Sequence, residues 1–130
     1  MVKCIVIDDQ KYAIDAITDH IQKIPELSLV SAFINPLEAI VFLEEHAIDL
    51  VFIDVEMPHL NGIEFIEAMM VKKGNDIPYF ILTTGHHKYA LISYDYGVAD
   101  YLMKPIAFKR LRIAVDKFLN QINKSLLIPS

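Results

Sequence analysis

The stretch 51-VFIDVEMPHLNGIEF-65 decides the fold. Apolar residues from Leu50 to Ile53 run without alternation into an acid, Asp54. A short run of this kind reads as a strand buried on both faces. Asn61-Gly62 then opens a segment with apolar residues at helical spacing, Ile63, Phe65, Ile66 and Met70. Gly62 permits a tight approach into that helix, and Met57-Pro58 shapes the loop before it. A buried strand that ends on a carboxylate is unusual, because an ionised carboxylate is expensive to desolvate without a partner. Asp54 is therefore either a cap at the sheet edge or a group placed for chemistry.

The same strand-then-helix alternation runs outward in both directions. Strands are expected at 3–7, 27–34, 49–54, 78–84 and 100–103. Helices are expected at 10–24, 35–46, 61–73, 87–97 and 107–122. Ala13, Ile14, Ile17, Ile21 and Ile24 form the inner stripe of the first helix, which Pro25 stops. Asn35 and Pro36 read as N-cap and first residue of the second helix. Gly97 reads as the C-terminal stop of the fourth. Five repeats of this alternation argue for an α/β fold, a parallel sheet with helices on both faces. Residues 1–122 make one domain, and 123–130, "NKSLLIPS", a C-terminal tail or linker stub.

Composition narrows the function classes. The 130 residues are 54% hydrophobic, as a doubly covered sheet demands. Twelve Lys and Arg against 17 Asp and Glu give a formal charge of −5, which argues against nucleic-acid or anionic-membrane binding by this chain. Cys4 is the only cysteine, so no internal disulfide forms and a reducing compartment is expected. The apolar run at the N-terminus is too short for a signal peptide, and no stretch reaches the length of a membrane helix. A cytoplasmic location is the resulting expectation.

The strand ends carry the chemistry. The first strand ends in Asp8-Asp9, the third in Asp54, the fourth in Thr83-Thr84 and the fifth in Lys104-Pro105; only the second ends blandly, in Asn35-Pro36. In open parallel sheets ligands sit outside the carboxyl ends of the strands, where the strand order reverses. The flavodoxin-like (βα)5 doubly wound order, 2-1-3-4-5, puts the bland second strand at the edge. Three carboxylates, a hydroxyl and an ammonium then share one crevice. A hard divalent cation such as Mg²⁺ suits such carboxylates, and an aspartate can serve as a nucleophile toward phosphorus. Phosphoryl transfer asks mainly for positioning and charge stabilisation.

Together "VIDDQ", "FIDVEMPHLNG", "ILTTG" and "DYLMKP" resemble the receiver domain of two-component response regulators, in order and over essentially the whole chain. The longer pattern is most similar to receivers of the LytTR type (LytR/AlgR). The resemblance implies that Asp54 accepts a phosphoryl group from a sensor histidine kinase. It implies that Asp8, Asp9, the Asp54 carboxylate and the Glu56 backbone carbonyl hold Mg²⁺. Thr84, which directly precedes the small residue Gly85, would bond the phosphoryl oxygens, and Lys104 would pair with them. Pro105 would follow a cis peptide, and Tyr101 would be the aromatic switch residue. Glu56 and His86 would tune phosphoryl lifetime. Pro58 and Gly62 remain structural. Gln10 departs from the acidic residue common at its position, which is not a core metal ligand. Homodimerisation through the fourth helix, fifth strand and fifth helix is expected on phosphorylation, with DNA contacted only through an output domain absent from this chain.

Plainer readings stand beside these. Asp8-Asp9 could cap the first helix, Asp54 could cap a loop, and Lys104-Pro105 could be a turn. His86-His87 lacks a third ligand at suitable spacing for a metal site. His20, His46 and His59 read as surface positions. Lys109, Arg110, Arg112 and Lys117 form either a solvated face with local ion pairs or a pairing surface. Two further functions remain open: a small aspartate-based phosphatase or phosphotransferase, with Glu56 as acid–base, and a binding module that works without phosphorylation.

Overall fold

The computed structural model describes residues 1–85 and 98–127. The helix expected over 87–97, with Gly97, lies outside them, as does His86. Five parallel strands form one sheet in the order β2-β1-β3-β4-β5. They are β1 (Val2–Ile7), β2 (Leu27–Phe33), β3 (Leu50–Asp54), β4 (Tyr79–Thr84) and β5 (Asp100–Met103). Helices α1 (Lys11–Gln22), α2 (Pro36–Glu45) and α3 (Gly62–Lys73) come after the first three strands, and a C-terminal helix (Phe108–Leu127) after β5. The expected flavodoxin-like order is the order observed.

The strands read as unbroken apolar runs because both faces are covered. Successive side chains point to opposite faces, so each central strand feeds two cores. Cys4, Val6, Leu50, Phe52, Ile81 and Leu102 pack under α1 and the C-terminal helix, with Ile14, Ile17, Leu111 and Phe118. Ile5, Ile7, Val51, Ile53, Phe80 and Leu82 pack under α2 and α3, with Ala39, Leu43, Phe65 and Met69. All five residues of β3 are buried. β2 is the edge strand. Its register to β1 slips between Cys4 and Ile5, and Val30 is the residue left unpaired.

Local chemistry sets the helix starts. The Asn35 side chain accepts a hydrogen bond from the Leu37 N–H, with Pro36 at the first helical position. Asn61 and Glu64 form a reciprocal capping box at the start of α3. Three expectations are corrected. Met70 is 46% exposed and Met69 is the buried methionine. The buried stripe runs through Gly62, Phe65, Ile66 and Met69, so Ile63 and Met70, seven residues apart, share its flank. The last helix extends to Leu127 rather than 122, since no proline or glycine interrupts it before Pro129. His20 is half-buried and not a surface residue: its Nε2 lies 2.8 Å from the Ile106 carbonyl oxygen and its ring meets Phe108.

Candidate functional site

Topology brings the ends of β1, β3, β4 and β5 side by side, and with them the residues singled out above. Carboxylate oxygens of Asp8, Asp9 and Asp54 lie within 4.8 Å of one another. Asp8 is fully buried and Asp54 is 3% exposed. Lys104 reaches across from beyond β5, its Nζ 2.9 Å from Asp8 Oδ2 and 3.4 Å from Asp54 Oδ2. The Lys104–Pro105 peptide is cis, and the Lys104 N–H donates to the Thr84 carbonyl at 2.8 Å. One ammonium faces three carboxylates, an excess of negative charge in a place where water is scarce.

Backbone groups hold the acids in place. The Gln10 N–H donates to Asp8 Oδ1 at 2.9 Å, and the Glu56 N–H donates to Asp54 Oδ1 at 3.1 Å. The capping reading of Asp8-Asp9 fails in its simple form: Gln10 is the N-cap of α1 and makes no side-chain cap bond. The Gly62 N–H donates to the Val55 carbonyl at 3.0 Å, folding the start of α3 against the end of β3. A Cβ on Gly62 would lie 2.7 Å from the Asp54 carbonyl oxygen, so only glycine fits there.

Burial pushes the Asp54 carboxyl up to about 6, and the neighbouring Asp8 charge adds to the rise; the Glu56 N–H and Lys104 oppose it. Burial works against the Lys104 ammonium, yet its hydrogen bonds and charge pairing with Asp8 and Asp54 raise it above the usual lysine range. The set fits a hard divalent cation. Its donors are oxygens, their charge is only partly offset by Lys104, and Asp9 Oδ1 is buried with no hydrogen-bond partner among the described residues.

The remaining residues frame this cluster. Thr84 is fully buried, and its hydroxyl donates to Glu56 Oε1 at 3.2 Å. Thr83, in register with Asp54, is also fully buried, and its hydroxyl has no partner among the described residues. Pro58 is exposed in the loop after β3, beside His59, whose φ is +71°. Tyr101 sits in β5, half-buried against the core on the α2 and α3 side. Sequence reading does not join Gln10 to Asp8, Glu56 to Thr84, or His20 to Ile106. The first is a local turn bond across two residues; the other two need the fold, and the last spans 86 residues of chain.

The chain's likenesses agree with this geometry. Its fold superposes on the receiver domain of AraT, a response regulator from Geobacillus stearothermophilus, with TM-score 0.84, 27% identity, and coverage of 97% of this chain and 99% of that one. An uncharacterized response regulatory protein of Vibrio vulnificus is 28% identical over 127 residues, covering 98% of this chain and 51% of that protein. The transcriptional regulatory protein NatR of Bacillus subtilis is 31% identical over 121 residues, covering 93% of this chain and 51% of NatR. The chain thus spans about half the length of these curated relatives. The model of the response regulator receiver domain matches residues 4–116, and the chain belongs to that family.

Proposed function

We propose that this domain, residues 1–122, is a switch of a two-component relay that accepts a phosphoryl group on Asp54 from the histidine of a sensor kinase. The observation that carries this reading is the buried Asp54 carboxylate beside Asp8, with Lys104 touching both. At neutral pH a carboxyl titrating at about 6 is mostly ionised and able to attack phosphorus. The Glu56 N–H fixes its orientation. Asp8, Asp9, Asp54 and the Glu56 backbone carbonyl would hold Mg²⁺, which when bound supplies positive charge to the transferring phosphoryl oxygens. Lys104 adds a second cation there, turning from Asp8 and Asp54 toward the new phosphoryl group. Thr84 donates its hydroxyl to a phosphoryl oxygen, and Tyr101 repacks in response. The change biases the face made by β5 and the C-terminal helix, where a second copy or an output domain docks.

The domain works as a switch rather than a multiple-turnover enzyme, in the cytoplasm. The LytTR-like pattern supports transcription control through an output domain in contact with DNA. No described helix is long and apolar enough to cross a membrane. The test is intact mass spectrometry after incubation with Mg²⁺ and acetyl phosphate. A single labile phosphoryl addition that needs Mg²⁺ and is absent from Asp54→Asn is the expected result. An addition that survives in Asp54→Asn would overturn the assignment. So would the absence of any addition combined with an NMR spectrum unmoved by beryllofluoride and Mg²⁺.

A further inference from the structure

We infer that Glu56 is a clamp on Thr84, holding the switch hydroxyl away from the phosphoryl site until phosphorylation expels it. The inference rests on the switch reading above and adds a positioning residue to it. A threonine hydroxyl has one proton to donate. Here it goes to Glu56 Oε1 at 3.2 Å, from a side chain that is otherwise fully buried. While that bond stands, the proton is not available to a phosphoryl oxygen. The clamp reaches over the end of β4, where a Cβ on Gly85 would stand 4.0 Å from the same Glu56 oxygen. A small residue at 85 leaves the carboxylate room to lie there.

The same residue touches both halves of the switch. Its N–H holds Asp54 Oδ1 at 3.1 Å, and its carboxylate holds Thr84. Phosphorylation at Asp54 adds negative charge to a crevice already rich in carboxylates, and a fourth carboxylate beside it is repelled. Glu56 is an exposed residue, so its side chain can swing into solvent without leaving a buried charge behind. Thr84 is then released toward the phosphoryl oxygens. The clamp therefore stabilises the resting state selectively, which is the condition for it to shift the equilibrium.

A double-mutant cycle read by NMR titration with beryllofluoride and Mg²⁺ tests this, using the wild type, Glu56→Ala, Thr84→Ala and the double variant. The Glu56 backbone N–H is retained in each. The clamp predicts that Glu56→Ala tightens beryllofluoride binding about three- to tenfold when Thr84 is present and by clearly less, the charge repulsion alone, in the Thr84→Ala background. An equal gain in both backgrounds means that Glu56 acts only by charge repulsion and overturns the clamp. Weaker binding in Glu56→Ala with Thr84 present also overturns it, since Glu56 would then support the active state. If none of the four proteins responds, the switch reading itself falls and the clamp with it. A response in the wild type with no coupling removes the clamp alone.

Discussion

Asp54 is held where its own charge is penalised, and that gives it a measurable signature. Its folded-state carboxyl is raised from 3.8 to about 6, so without divalent cations the folded protein binds this proton more tightly than the unfolded chain. Stability from this group is present below about pH 4 and is lost as pH rises through about 6. Asp54→Asn should therefore stabilise the metal-free protein at pH 7–8 by about 1–3 kcal/mol, with the gain vanishing near pH 4. Urea denaturation with chelator present measures it, and added Mg²⁺ should narrow or reverse the gap by stabilising the wild type. Gly62→Ala should cost about 1–3 kcal/mol and weaken beryllofluoride binding, because the new methyl meets the Asp54 carbonyl. At this scale residue types were legible from sequence: acids, hydroxyls and lysine at strand ends. Their long-range bonds were not, since Glu56 to Thr84 and Lys104 to Asp8 join strand ends 28 and 96 residues apart that no local pattern brings together.

Elements are tied to the sheet by a few specific contacts. Asn61→Ala removes the capping box of α3 and should cost about 1 kcal/mol by urea denaturation. Asp100 anchors the C-terminal helix to β5, accepting from Arg110 Nη1 and Nη2 at 3.0 and 2.9 Å and from Lys117 Nζ at 3.2 Å. Burial works against the Asp100 charge, but Arg110, the Tyr101 N–H and Lys117 hold its carboxyl below the usual aspartate range. That contribution is present above about pH 4 and is lost as pH falls through the lowered value. Asp100→Asn should thus destabilise at pH 7 by about 1–2 kcal/mol and much less at pH 3, the opposite sign to Asp54→Asn. Arg112 pairs with Glu26 and Asp116, so Arg110, Arg112 and Lys117 all hold ion pairs, most of them to residues outside the helix. Helix starts were legible because Asn35 and Asn61 cap by local chemistry. Which of Met69 and Met70 faces inward was not, because a stripe that drifts with 3.6 residues per turn is fixed by the sheet beneath it.

For the whole molecule, beryllofluoride with Mg²⁺ should raise the sedimenting mass toward a dimer at high concentration, and an unchanged mass would count against the β5 and C-terminal-helix face as a pairing surface. The sequence by itself determined the alternation of strands and helices and the double burial of the sheet. It also determined the four chemically loaded strand ends, because periodicity and residue type are local properties that every fold of this chain must respect. Tertiary structure alone decided which strand ends became neighbours and how far each acid was desolvated. It decided too that Thr84 rests on Glu56 and that His20 meets Ile106. Those outcomes depend on distances between segments far apart in the chain, which parallel pairing and two packed helical layers set, and which no window of sequence contains.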